Sequence, residues 1–217
     1  MDMKNIDEWR LYIITDRALS RGRSNEEVIR RAILGGADVV QLRDKGASTS
    51  ELYREAVLLR QLTRAMDTAF IINDRVDVAL AVDAEGVHLG RDDLPLSVAR
   101  RMLEPHKIIG ASTHSLQQAR AAAQEGAHYL SVGPVFSTTT KEAGPPVGVN
   151  LIRQVKDHID IPVVAIGGIR LQNVTEVLQA RADCVAVISA AVSAEDVEKT
   201  VRALKAKIES SHIASIA

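Results

Sequence analysis

One cysteine, Cys184, stands among the 217 residues, so no internal disulfide can form, as fits a reducing compartment. It lies in the apolar run Cys184-Val185-Ala186-Val187-Ile188 and reads as a small buried hydrophobe. Aromatic residues make up 3% of the chain and the formal net charge is −1. A nucleic-acid binder would carry a basic surplus and stacking aromatics, so that class is excluded. Any anion must be caught by a local site rather than by bulk charge. No apolar stretch reaches the roughly 18 residues that a membrane-spanning helix needs. The start, Met1-Asp2-Met3-Lys4-Asn5, lacks the apolar core of a signal peptide. These absences predict a soluble, cytoplasmic protein with no membrane partner. What is plentiful is hydrophobic residues, at 46%, enough to fill a core.

A short β-branched run, a polar loop and a helical stretch recur along the chain. The strand-like runs are 11–15, 39–43, 69–73, 86–89, 108–112, 129–135, 162–166 and 184–189. Between them, stretches such as 24–34 and 48–63 place apolar residues at helical spacing. Ser24 with Glu27, and Ser48 with Glu51, have the spacing of capping boxes. Three helices end alike, in Gly35-Gly36-Ala37-Asp38, Glu125-Gly126-Ala127-His128 and Ala180-Arg181-Ala182-Asp183, and the first two place glycine where a C-cap takes positive φ. Eight strands alternating with helices imply parallel pairing and closure into a single-domain (β/α)8, or TIM, barrel spanning 1–217, with ends expected to fray over 1–9 and 210–217. A doubly wound open sheet would carry a Gly-rich first turn, and here that turn is Thr15-Asp16-Arg17.

Active sites of such barrels lie at the C-terminal strand ends. On strand 2, period-two geometry sends Gln41, Arg43 and Lys45 to one face, into the barrel mouth, and Val40 and Leu42 to the other. This is either a structural polar layer or a seat for an anion, and two cations are costly to bury unless anions offset them. Asp74 and Asp93 follow adjacent strands, where two carboxylates can share Mg²⁺; either alone would serve equally as a helix N-cap. Thr138-Thr139-Thr140-Lys141 suits a phosphate loop, the alternative being an ordinary exposed loop. Gly167 and Gly168 after strand 7, with Ile188 and Ser189 at the end of strand 8, have the makings of a phosphate cup. Ser112 lies near the mouth as a donor. His114 reads equally as an acid–base group or a structural histidine, and His88 reads as core.

These motifs together resemble the thiamine phosphate synthase family over nearly the whole chain, from Tyr12-Ile13-Ile14-Thr15-Asp16 to Ile188-Ser189-Ala190. The most specific parts are Gln41-x-Arg43-x-Lys45, Asn73-Asp74-Arg75-Val76-Asp77, and Gly133-Pro134-Val135-Phe136 with Thr138-x-Thr140-Lys141. The resemblance implies a transferase that joins a hydroxymethylpyrimidine diphosphate to a thiazole phosphate, releasing diphosphate, and CO₂ as well when the thiazole carries a carboxylate. It implies that Gln41, Leu42, Arg43, Asp44, Lys45, Asn73, Ser112 and Lys141 bind the pyrimidine diphosphate. Thr138, Thr139, Thr140, Gly168, Ile188 and Ser189 would bind the thiazole phosphate, and Asp74 and Asp93 would hold Mg²⁺.

Arg43, Lys45, Ser112 and Lys141 would then act on the reaction itself, mainly by neutralising the departing diphosphate, with no strong base required. The chain departs from the family pattern at Gly90-Arg91, usually Gly-Gln, and at Ser137, where proline is common. A thiazole tautomerase of the same fold would instead need an acid–base residue such as His114, and a non-catalytic precursor-binding barrel would have little use for two metal-binding aspartates. The partners are two phosphorylated small molecules; a homo-oligomer is compatible with the sequence, which shows no legible interface.

Overall fold

A computed structural model describes residues 5–138 and 144–216, with side chains described as far as 211. Its strands are β1 (Leu11–Ile14), β2 (Val39–Leu42), β3 (Ala69–Asn73), β4 (Gly86–Leu89), β5 (Ile108–Thr113), β6 (Tyr129–Val132), β7 (Val163–Ile166) and β8 (Cys184–Val187). All pair in parallel and in order, and β1 closes on β8 through Tyr12 opposite Ala186. The helices among the described residues are α1 (Asn25–Leu34), α2 (Thr49–Ala65), α3 (Val76–Ala81), α4 (Leu96–Met102), α5 (Leu116–Gln124), α6 (Val149–Lys156), α7 (Val174–Gln179), α8 (Ser189–Val192) and α9 (Val197–Ile216). None of these helices is long and apolar enough to cross a membrane. β6 ends at Val132, although Gly133 N–H still donates to the Thr113 carbonyl and Val135 N–H to the Ile166 carbonyl; the Gly133–Pro134 peptide bond is cis.

Alternation along each strand divides the core in two. Val40 and Leu42 of β2 belong to the layer between strands and helices, whereas Val39 joins the barrel interior with Tyr12, Ile71, Ile108, Tyr129 and Val164. Trp9, within the stretch expected to fray, is 1% exposed. It closes the barrel floor edge-on to Tyr12 and Tyr129, at 5.9 and 5.8 Å between ring centres, because a large apolar side chain there fills space no strand reaches. At the other terminus α9 continues as helix through the stretch 210–216.

The start of each helix follows local chemistry. Ser48 and Glu51 form the full reciprocal capping box on α2, while Ser24 accepts from Glu27 N–H but Glu27 pairs with Arg31 instead of returning the bond. The helix ends reveal a four-fold device at the barrel floor. Gly36-Ala37-Asp38, Asp83-Ala84-Glu85, Gly126-Ala127-His128 and Arg181-Ala182-Asp183 each begin with a residue at positive φ (100°, 54°, 92° and 72°). The third residue then accepts from the backbone N–H opening the preceding strand: Leu11 to Asp38, Phe70 to Glu85, Ile109 to His128 and Val163 to Asp183. Three of these acceptors also hold a cation: Lys205 on Asp38, Arg60 on Glu85 and Lys156 on Asp183. His128 is held neutral, first by burial and then by the nearby Arg100 charge, so it can accept.

Candidate active site

At the C-terminal strand ends a cavity of about 210 Å³ opens into the barrel interior. Its floor is polar. Gln41 Nε2 donates to the Tyr12 hydroxyl at 2.6 Å, Tyr12 and Tyr129 hydroxyls lie 3.1 Å apart, and the Tyr129 hydroxyl is 2.9 Å from His88 Nδ1. His88 Nε2 lies 2.9 Å from Ser112 Oγ. The His88 ring stacks on Tyr129 with centres 5.5 Å apart. Tyr129 fits only because residue 110 is glycine: a Cβ there would lie 2.0 Å from its ring. Burial drives His88 down to about 4 and pushes both tyrosines well above their ordinary values, so this layer is uncharged at neutral pH.

One side of the mouth gathers charge. Asp74, just past β3, adopts φ of 62°, a conformation aspartate tolerates better than most residues, with its N–H donating to the His88 carbonyl at 2.8 Å. Burial first, then a carboxyl–carboxyl hydrogen bond with Asp93 and the Asp93 charge, push Asp74 up to about 7, against the lowering effect of Lys45 and Arg43. Lys45 Nζ lies 4.0 Å from Asp74 Oδ2. Asp93 accepts from Gly90 N–H at 2.7 Å. The Arg43 backbone is clamped by Thr15 Oγ1 at 2.9 Å, and its guanidinium reaches to 3.5 Å from Asp16. Arg91 associates with Asp92 at 3.7 Å, both open to solvent, rather than with Asp93.

The opposite side is made of backbone. Gly167 and Gly168 after β7 have φ of 98° and 66°. A Cβ on Gly168 would come 2.5 Å from the Ser137 carbonyl, so the chain passes there only as glycine. Asn173 Nδ2 holds the Gly168 carbonyl at 3.0 Å. β8 runs directly into α8, whose first turn begins at Ser189 and leaves N–H groups without intrahelical partners. A loop after strand 7 facing a short extra helix after strand 8 is the phosphate-binding arrangement of many such barrels.

The structure brings Gln41, Arg43, Asn73, Ser112, Thr138, Gly168, Ile188 and Ser189 to the lining of one cavity. Asp74, Asp93 and Lys45 gather beside it at the ends of β2 to β4. The Leu42 side chain faces the helices, fully buried in the outer layer, as period-two alternation requires, which leaves its backbone to meet a ligand. The Asp44 carboxylate pairs with Arg17 at 2.5 Å and accepts from Gly46 N–H, which shapes the loop. Thr139, Thr140 and Lys141 lie outside the described residues.

Sequence reasoning missed His88 as a lining residue. The signal was its alternation with Val87 and Leu89, which face outward. His114 also lines the cavity, and its Nδ1–H donates to the Gly133 carbonyl, which leaves Nε2 to the opening. Among the described residues no group of three or more His, Cys, Asp or Glu side chains surrounds a common point.

The family model described as thiamine monophosphate synthase matches residues 11–191. A thiamine-phosphate synthase of Chloroflexus aurantiacus is 51% identical over 209 residues, 96% of each chain, and one of Pyrococcus furiosus is 47% identical over 209 residues, covering 96% of this chain and 98% of its own. The solved thiamine phosphate pyrophosphorylase of Pyrococcus furiosus superimposes with a TM-score of 0.88 at 45% identity, covering 95% of this chain and 99% of that one.

Proposed function

The chain belongs to the thiamine monophosphate synthase family, and from that membership and the site's geometry we propose that it couples 4-amino-2-methyl-5-hydroxymethylpyrimidine diphosphate to a thiazole phosphate, carboxylated or not, giving thiamine phosphate and diphosphate. The observation that carries the reading is the asymmetry of the mouth. Arg43, Lys45 and a crowded carboxyl pair occupy one side, a glycine-lined phosphate seat the other, and an uncharged hydrogen-bonding floor lies between.

Asp74 and Asp93 would hold Mg²⁺, which supplies charge to neutralise the departing diphosphate. The donor set fits: a carboxylate raised to about 7 by burial and its neighbour is a site of excess negative charge that a cation would relieve. Two protein carboxylates suffice for Mg²⁺ when substrate oxygens and water complete the shell.

Arg43 and Lys45, with Lys141, neutralise the leaving group. Gln41, Asn73 and Ser112 orient the pyrimidine ring. Thr138, Thr139, Thr140, Gly168, Ile188 and Ser189 hold the thiazole phosphate so that its ring nitrogen faces the pyrimidine methylene. The C–O bond to diphosphate breaks first, the ring amino group stabilises the resulting cation, and the thiazole nitrogen lone pair forms the new C–N bond. No side chain need accept a proton, which suits a floor whose only histidine is neutral and paired at both ring nitrogens.

A diphosphate-release assay with both substrates tests the reading. Release is expected to require both substrates and Mg²⁺ and to stop with EDTA. Conversion of a thiazole phosphate alone, indifferent to EDTA and lost in His114→Ala, would replace the synthase by a tautomerase.

A further inference from the structure

The barrel interior is where apolar side chains normally stack in layers, yet β1, β2, β4, β5 and β6 contribute a continuous hydrogen-bonded chain: Gln41, Tyr12, Tyr129, His88, Ser112. Its two ends line the cavity, as does His88, while Tyr12 and Tyr129 are 1% and 0% exposed. None of the five has a buried side-chain polar atom without a partner. Such a fully satisfied chain has a direction, because a hydroxyl passes on one proton and a neutral imidazole has one N–H and one lone pair.

Gln41 Nε2 donates to Tyr12, and the sense that follows from this is Tyr12 to Tyr129 and Tyr129 to His88 Nδ1. His88 then carries its proton on Nε2 and donates to Ser112 Oγ, so the Ser112 proton is directed to the cavity while Gln41 offers it an amide oxygen. In the reverse sense the Gln41 amide is turned, Ser112 donates inward, and every link flips. A mixed sense would set two donors, or two acceptors, face to face between largely buried side chains, which is costly.

We propose that Tyr12, Tyr129 and His88 are positioning residues that force Gln41 and Ser112 into opposite hydrogen-bonding roles, so that the cavity accepts only a ring offering a donor at one of them and an acceptor at the other. An aminopyrimidine, with an amino donor beside ring-nitrogen acceptors, meets that requirement. This rests on the reading that the cavity takes the pyrimidine substrate. The relay selects the ring by the pairing of its edge groups and not by shape alone.

Two measurements test it. The first is a double-mutant cycle on kcat/KM. Tyr129→Phe is expected to lower it about tenfold in the wild-type background and by less than about twofold in a Ser112→Ala background, since the relay acts through Ser112. An equal loss in both backgrounds would mark Tyr129 as merely structural and overturn the relay.

The second uses no substrate: ¹⁵N NMR of the histidine ring nitrogens in the free protein. His88 is expected as the Nε2–H tautomer. Gln41→Glu, which can only accept from Tyr12, is expected to convert it to Nδ1–H, and adding Tyr129→Phe is expected to abolish that response. A tautomer unmoved by Gln41→Glu, or moved as much when Tyr129 is also replaced, would overturn the proposal. Wild-type protein that joins no substrates would defeat the synthase reading alone, because the histidine spectrum still decides the relay.

Discussion

At the N-terminal end of the barrel Asp38, Glu85 and Asp183 each face a cation and a strand N–H, whereas at the C-terminal end Asp74 and Asp93 face one another. The same residue type is used in opposite ways. Below, opposite charges meet at short range and the bonds fix where three of the four odd strands, β1, β3 and β7, begin. Above, like charges meet, with Lys45 and Arg43 close by. The lower end is what a chain does when charge is used to hold it together. At the upper end burial and a like-charged neighbour raise the Asp74 carboxyl, so ionising it opposes folding, and such a cluster suits a ligand that brings positive charge.

Substitutions at the two ends should therefore separate activity from stability. Asp93→Ala is expected to reduce Mg²⁺-dependent diphosphate release by about 10²- to 10³-fold, the scale of losing one main source of leaving-group stabilisation. Thiazole phosphate affinity, followed by calorimetry, should stay within about twofold of wild type. At the floor, Glu85→Ala strands the half-buried Arg60 and leaves Phe70 N–H without its acceptor. A loss of about 3 kcal/mol is expected, or roughly 10 °C in thermal midpoint, with kcat unchanged. A collapse of kcat at 20 °C in that variant would break the division between the ends.

Gly168→Ala should raise KM for the thiazole phosphate about tenfold with a smaller change in kcat, since the added Cβ displaces one wall of the proposed phosphate seat. Smallest is the pH effect on metal binding. Held as proposed, Mg²⁺ would need Asp74 ionised, and burial beside Asp93 raises that carboxyl to about 7, so affinity should weaken by up to about tenfold from pH 7 to pH 6. Titration of the metal by calorimetry at the two pH values reads this directly.

The barrel was legible because strand and helix periods differ and alternate along the whole chain; seven of the eight observed strands lie inside their expected runs, and β5 extends one residue further, to Thr113. The helix-end repeat was legible in three copies, at Gly36, Gly126 and Arg181; the fourth, Asp83-Ala84-Glu85, has aspartate at positive φ.

The site was legible where strand alternation governs, as at Gln41 and Arg43. Alternation says less about Asp44, a loop residue whose carboxylate pairs with Arg17, a partner that it does not announce. His88 was read as core for a sound reason, since it is buried; what one dimension cannot display is that Tyr12, Tyr129 and Ser112, far apart in the chain, surround it with partners. Polar residues inside a barrel declare themselves only after closure.

The claim that the upper carboxylates are held against the preference of the fold has a direct test in the thermal midpoint of Asp74→Asn without Mg²⁺ at pH 8. The Asp74 carboxyl is raised in the folded protein, so its contribution is most favourable below about pH 4, where it is protonated in both states, and is lost as pH rises through about 7. Asparagine keeps the shape and removes the charge. The account predicts a midpoint at or above that of wild type at pH 8, with the gain vanishing toward pH 4, while Mg²⁺-dependent diphosphate release is lost. A midpoint several degrees below wild type at pH 8 would contradict it, placing Asp74 among the groups that hold the fold together.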